Sequence, residues 1–220
     1  MSIAPSRAGR RLLSAVLVAT LVGPGSALAE VVFGNLGGSG TSGLATTGSA
    51  IANNNRLAQG FSTGNSTART LQSISLGMFW DNSFSAPAQV LLYSDVNNAP
   101  GSVIAASSLV NVQAKAVYTF PFANVPLAAN VGYWVVPPDG LTWYLNAAET
   151  SPTEQNGSGY AWLGTIRSVN GGDSWSSDAT TSYSVSVVAV PEPATSGMLL
   201  AGLAAGVVAI VCRQRLSVTS

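Results

Sequence analysis

Apolar and polar residues alternate over short stretches in the middle of the chain, with the period of two that a half-buried β-strand requires. Between Leu71 and Trp80, the side chains of Ile74, Leu76 and Met78 share a face with Trp80, and the other face includes Ser73, Ser75 and Gly77. Further apolar runs lie at 90–93, 103–109, 117–122, 131–136 and 141–145, and an alternating segment lies at 183–189. Turn residues separate these runs, and no segment between residues 56 and 196 has a helical period. The pattern predicts an all-β fold, an antiparallel jelly-roll-like β-sandwich.

Two segments between the runs are read as irregular structure. Residues 30–55 are rich in Gly, Ser, Thr and Asn, so we predict a long, partly disordered lead-in before an ectodomain at 56–189. Residues 95–101 begin like a calcium loop, but Ala99 and Pro100 occupy its fifth and sixth positions, where a ligand and a glycine are needed. A hairpin turn is therefore the prediction for this segment.

The first 29 residues have the three parts of a secretory signal peptide. A basic start precedes an apolar stretch at 12–22, which predicts a signal helix, and Ala27 and Ala29 supply the small residues at positions −3 and −1. We predict that signal peptidase cuts after Ala29, so that the mature chain starts at Glu30.

A second apolar run, Gly197 to Cys212, lies near the C-terminus and is followed by Arg213 and Arg215. Its 16 residues would form a single helix of roughly 24 Å, somewhat shorter than a hydrocarbon core of about 30 Å. The arginines favour a cytoplasmic C-terminus. We therefore predict an intermediate that this helix anchors in the inner membrane.

Val190, Pro191, Glu192 and Pro193 precede this run by a short spacer. The ordered set of Pro-Glu-Pro, spacer, apolar run and terminal arginines resembles the PEP-CTERM sorting signal. The resemblance implies that residues 190–220 are a sorting tail, which a membrane-embedded exosortase recognises and cuts. It also implies a final location at the cell surface or outside the cell, without the helix if the tail is removed.

The order of the apolar runs is also similar to that of ectodomains called choice-of-anchor domains, most closely the type labelled R. The matching segments lie at 60–63, 71–76, 90–95, 100–101, 127–130 and 133–134, with tryptophans at 143, 162 and 175. The resemblance spans residues 56–189 and implies a surface location and a fold, without naming an activity.

The residue types limit the chemistry of the ectodomain. The chain has no histidine, and its only cysteine, Cys212, lies in the C-terminal apolar run. The usual nucleophile–base pairs and zinc sites are therefore excluded, and we expect no enzyme, no cofactor and no metal. With four cationic and eight acidic side chains, residues 30–189 carry a net charge of −4, which does not favour nucleic acid. A glycosidase needs only two carboxyl groups, such as Glu149 with Glu154 or Asp173 with Asp178, and stays a remote alternative.

Tryptophans are the most suggestive side chains of the ectodomain. Trp162 and Trp175 lie among Gly, Ser and Asn, so we predict that both are on loops, where their rings could stack on sugars. Core packing is the competing interpretation, and it is favoured for Trp80 and Trp134. The sequence thus predicts a non-enzymatic cell-surface or extracellular-matrix protein. A carbohydrate-binding module that retains exopolysaccharide is the alternative.

Overall fold

A computed structural model of the chain describes residues 28–36, 44–52, 54–64, 68–80, 86–146, 152–155, 158–178 and 181–192. Within these ranges the chain is all β, as predicted, and contains no helix. The strands are β1 (Glu30–Gly34), β2 (Leu44–Ile51), β3 (Arg56–Ser62), β4 (Arg69–Trp80), β5 (Ala86–Ala88), β6 (Leu91–Asp95), β7 (Pro100–Ala106), β8 (Val110–Val112), β9 (Ala116–Leu127), β10 (Gly132–Val136), β11 (Leu141–Asn146), β12 (Thr153–Glu154), β13 (Ala161–Ser168), β14 (Ser176–Ser177) and β15 (Val185–Pro191).

Several predicted features lie outside the described residues. They are the signal helix with Ala27, the apolar run 197–212, Pro193, Arg213 and Arg215. Among the residues that are described, no helix is long and apolar enough to cross a membrane.

The strands form two large antiparallel sheets and a small one. The seven-stranded sheet has the order β12-β1-β15-β4-β11-β2, with β9 paired to β4 beside this path. The six-stranded sheet has the order β14-β13-β3-β10-β6-β7, and β5 pairs with β8. Every pairing between these strands is antiparallel, as expected from the short runs and the many turns.

Apolar side chains of both large sheets meet in one hydrophobic core, here called the inter-sheet core. Ile74, Leu76 and Met78 of β4 are fully buried in it, as their alternation predicts. Phe33 of β1 and Phe61 of β3 join the two sheets, with ring centroids 5.7 Å apart. The period-two pattern therefore identified the face of β4 that is removed from water.

The predicted lead-in over residues 30–55 differs from the structure, which contains β1 and β2 in this segment. Strand β1 pairs with β12 and β15, and its Val32 and Phe33 are buried in the core. Strand β2 pairs with β11 and buries only its two end residues, Leu44 and Ile51. Strand β2 is held by its backbone pairing and by two terminal side chains. Its middle residues therefore do not need to be apolar, and its composition resembles that of a loop.

Strand β10 is buried on both faces. Tyr133 and Val135 point into the inter-sheet core, whereas Trp134 and Val136 belong to a second cluster with Ala58 and Ile166. Since adjacent residues of a strand point to opposite faces, this second cluster lies on the outer face of the six-stranded sheet. We call it the outer-face cluster.

Candidate functional site

Trp134 forms the base of the outer-face cluster and is completely buried. Its indole lies against β3 at Gly60, where an added Cβ would be 2.8 Å from Cζ3 of Trp134 and 2.9 Å from Cβ of Leu163. Its Nε1 donates a hydrogen bond of 2.6 Å to Oδ1 of Asp95. Gly60 therefore allows the indole to approach the sheet, and Asp95 satisfies its only polar atom.

The hairpin between β6 and β7 lies next to this indole. Val96 and Ala99 exchange backbone hydrogen bonds of 2.8 and 3.2 Å, and Asn97 and Asn98 between them have φ values of 55° and 61°. Two central residues with positive φ are typical of a type I′ hairpin turn, for which asparagine is well suited. The predicted turn is confirmed, and it exposes both asparagine side chains.

Trp162 lies on strand β13, so its predicted position on a loop is wrong. It pairs with Phe61 of β3, and the register shifts between Trp162 and Gly164, where Gly164 has a φ of 113°. The indole is half-buried and packs against the inter-sheet core. Its buried Nε1 has no hydrogen-bond partner among the described residues. The Trp162 ring therefore contributes to packing of the core as well as to the surface.

Trp175 lies outside regular strands, as predicted, immediately before β14. The preceding turn is held by Ser168, whose Oγ accepts a 2.8 Å hydrogen bond from the Gly172 backbone N–H. The Asn170 amide adds a 2.9 Å hydrogen bond to Ser174 Oγ. Trp175 is half-buried and packs on the outer-face cluster. Its ring is thus positioned on the sheet by a turn with its own hydrogen bonds.

These elements surround an open cleft of about 400 Å³ on the outer face of the six-stranded sheet, here called the outer-face cleft. Trp134, Trp162 and Trp175 all line it, and none of its lining residues is charged. The side chains of Asn97, Asn98, Ser176 and Ser177 supply exposed amide and hydroxyl groups at its rim. The structure therefore brings the two candidate tryptophans together, although they are 13 positions apart in the sequence. Aromatic surface beside neutral hydrogen-bonding groups suits an uncharged, polyhydroxylated ligand.

Asp173 and Asp178, one of the two carboxyl pairs considered for a glycosidase, are not among the described residues that line this cleft. Asp178 lies 3.9 Å from Nη2 of Arg167 and accepts a 2.9 Å hydrogen bond from Thr181 Oγ1, while Asp173 is exposed. Glu149 lies outside the described residues. Among the described residues, no three acidic or cysteine side chains are grouped as metal ligands.

A second functional region lies at the end of β15, where the predicted sorting motif begins. Val190 pairs with Thr70 of β4, and Pro191 pairs with Arg69. The next residue, Glu192, donates its backbone N–H to the Ala68 carbonyl at 3.2 Å. The predicted boundary between ectodomain and tail, at 189–190, thus falls within a strand, and the motif starts inside the sheet.

The predicted start of the mature chain lies beside the same end of β15. Glu30 pairs with Ala189, and its carboxylate forms an ion pair with Arg69. The Arg69 side chain is only 9% exposed, and its Nε has no hydrogen-bond partner among the described residues. Nearby, burial raises the pKa of Tyr160 to about 12, an effect that the positive charge of Arg69 partly opposes. Arg69 is therefore a buried cation that is paired with the carboxylate of Glu30 in the described part of the chain.

Residues 189–215 match a family model described as the PEP-CTERM protein-sorting motif. The match begins at Ala189, in the last strand, and includes all four residues of the predicted motif and both terminal arginines. It supports an exported protein that an exosortase processes at the membrane. No curated protein matches the chain, and no solved structure does.

Proposed function

We propose that this chain is a non-enzymatic protein of the cell surface or extracellular matrix, released from the membrane after signal peptidase and exosortase have removed its two ends. The observation that supports this proposal most directly is the sorting motif at 189–215. We further propose that the ectodomain is a jelly-roll-like β-sandwich of the choice-of-anchor R type. Two antiparallel sheets that share one core support that architecture.

A role without chemistry is supported by the residue types available. Histidine is absent from the chain, so a serine or threonine has no imidazole to activate it. The outer-face cleft has neither a carboxylate nor a cation in its lining. A glycosidase, which needs two facing carboxyl groups, therefore stays a remote alternative at this site.

Mass measurement of the released protein tests the processing. In its own exosortase-containing host, the chain should lose residues 1–29, and the surface form should have lost the apolar run 197–212. Intact-mass analysis of the surface and membrane fractions would show both changes. A surface form that retains 197–212 would contradict exosortase processing.

A second candidate function is retention of exopolysaccharide in the outer-face cleft. It is favoured by the shared position of Trp162 and Trp175, because the apolar faces of sugar rings pack on indoles and the neutral rim can bind hydroxyl groups. Each ring is expected to contribute about 0.5–1.5 kcal/mol, by analogy with aromatic pairs. Such weak binding becomes effective when many copies act on one polymer.

Trp175→Ala is the sharper test of this candidate, because Trp162 also packs against the inter-sheet core. The variant should bind the host's exopolysaccharide about three- to tenfold more weakly in affinity electrophoresis, which corresponds to the loss of one stacked ring. Trp80→Ala is the matched control, since Trp80 packs over Gly140 and does not line the cleft. Circular dichroism should confirm that both variants are folded. Equal binding by Trp175→Ala and the unchanged protein would contradict sugar binding here, and sugar release by the unchanged protein would contradict the non-enzymatic role.

A further inference from the structure

The last strand of the ectodomain continues into the sorting motif without a linker. Val190 and Pro191 are registered against β4, and the Glu192 N–H bonds to the Ala68 carbonyl. A peptide segment that is paired in a sheet cannot enter the active site of a processing enzyme until it separates from that sheet. In this structure, the processing enzyme therefore cannot bind Val190 and Pro191, the first half of the motif, while the end of β15 stays paired.

The strength of that pairing depends on Arg69. This residue is the register partner of Pro191 on one side and of Leu127 in β9 on the other. Its buried guanidinium is neutralised by Glu30, at the start of β1. Because an unpaired buried charge is costly, loss of the Glu30 carboxylate destabilises the place where β1, β4 and β15 meet.

We propose that the folded ectodomain limits the rate at which the sorting tail is cut, and that Glu30 and Arg69 are the residues that set this rate. Cutting requires the end of β15 to separate from β4, and the ion pair makes this separation less frequent. The rate of cutting then follows the population of the opened end, as it does for proteolysis through local unfolding. The inference rests on exosortase processing and adds a control that the motif alone does not contain.

Glu30→Gln in the full-length chain tests the proposal. A pulse–chase experiment in the exosortase-containing host would follow conversion of the signal-free precursor to the tail-free form. Because Arg69 loses its counter-charge, we expect the half-time to shorten about fivefold. Only precursor that has already lost its signal peptide is counted, since Glu30 directly follows the predicted cleavage site.

Asp139→Asn is the matched control. Asp139 forms an exposed ion pair of 3.2 Å with Arg56, whose register partner is Ser168 in β13 and not a residue of β15, so the half-time should not change. A short Gly-Ser linker between Ala189 and Val190 is the second variant. It separates the motif from the sheet, so cutting should be fast, and adding Glu30→Gln should accelerate it no further.

The outcomes distinguish this proposal from exosortase processing itself. If the unchanged chain is never cut, the proposed exosortase processing is wrong, and so is the proposal that the ectodomain limits its rate. If the unchanged chain is cut but Glu30→Gln has the same half-time, the proposal alone is wrong. Acceleration by Glu30→Gln in the linker chain would also overturn it, because the ion pair would then act independently of strand pairing.

Discussion

Trp143 and Trp134 are both completely buried, but they lie in different surroundings. Trp143 belongs to the inter-sheet core, where its ring stacks on Tyr183 with centroids 4.8 Å apart. Its Nε1 donates a 3.0 Å hydrogen bond to the backbone carbonyl of Ser184. Trp134 belongs to the outer-face cluster, and its Nε1 donates to the carboxylate of Asp95.

The difference is in what covers each indole. Side chains of two sheets enclose Trp143, whereas a hairpin turn, Leu163 and Trp175 cover Trp134. A cover made of single side chains leaves a concave surface, and Trp134 lines the outer-face cleft although it is buried. Burial of a tryptophan thus stabilises the fold in one region and shapes a candidate binding site in the other.

Trp143→Ala should produce the largest effect. Removing a fully buried indole from the inter-sheet core is expected to lower the free energy of unfolding by about 3–5 kcal/mol, since the cavity cannot fill completely. Chemical denaturation of the processed protein measures this. Trp80→Ala, at a partly buried position of the same core, should cost less. Equal costs for both variants would contradict the enclosed position of Trp143.

Gly60→Ala should produce an intermediate effect in the outer-face cluster. The new methyl group would meet Trp134 and Leu163 at less than 3 Å, so the indole has to move, at a cost of about 1–3 kcal/mol. Exopolysaccharide binding in the cleft should weaken in the same variant. Gly101→Ala in edge strand β7 is the comparison: its added atom would lie 2.5 Å from Cγ2 of Val96 and 2.8 Å from Oγ of Ser94, but Val96 is exposed and can move, so this variant should cost less than Gly60→Ala. An unfolding free energy unchanged by Gly60→Ala would contradict close packing of Trp134 on β3.

The smallest effect at neutral pH is expected for Tyr160→Phe. This substitution tests whether buried tyrosines make the stability of the inter-sheet core, in contrast to the outer-face cluster, depend on alkaline pH. Burial raises the phenol pKa of Tyr160 to about 12 and also raises the pKa of Tyr133 and Tyr183, and all three belong to the inter-sheet core. Between pH 10 and 12 the unfolded chain loses the proton of Tyr160 while the folded chain keeps it, so the contribution of this group to stability falls as the pH rises.

Tyr160→Phe should therefore reduce the loss of stability between pH 10 and 12 and leave stability at pH 7 nearly unchanged. Denaturation curves at pH 8 and at pH 11 would measure both. At pH 7 the substitution removes a buried hydroxyl that has no hydrogen-bond partner among the described residues, which is why little is lost there. An identical alkaline loss in the variant would show that Tyr160 does not keep its proton through this range.

Local patterns predicted part of this fold well. The alternation in β4, the hairpin at 95–101 and the strand that contains Val185, Val187 and Ala189 are all present in the structure. In the two strands, the apolar residues that alternate are the ones that pack in the core. In the hairpin, the asparagines that predict a turn are the ones that have positive φ. Strands β1 and β2 were missed because Gly, Ser and Thr fill the segment around them, and β2 is stabilised mainly by pairing with β11.

The candidate site was predictable only in its residue types. Trp162 and Trp175 were identified by their polar surroundings, but no local pattern placed Trp162 on a strand or Trp134 beneath the same cleft. Gly60 and Asp95 lie in segments that the sequence singled out for other reasons, but nothing assigned them to the cleft, because that role depends on the indole that lies against them. The pairing of the sorting motif with β4 could not be anticipated either, since it is a contact over more than 100 residues.

By itself, the sequence determined the properties that depend on near neighbours: the all-β class, seven of the fifteen described strands, the C-terminal sorting motif, and the absence of histidine. Tertiary structure alone decided which tryptophans share a cleft, which glycine has to stay small, and that Glu30, Arg69 and Pro191 meet at one end of a sheet. The physical reason is that alternation specifies which face of a strand is buried but leaves its partner open. Strand order and register, which many distant contacts set together, bring the separate segments into contact.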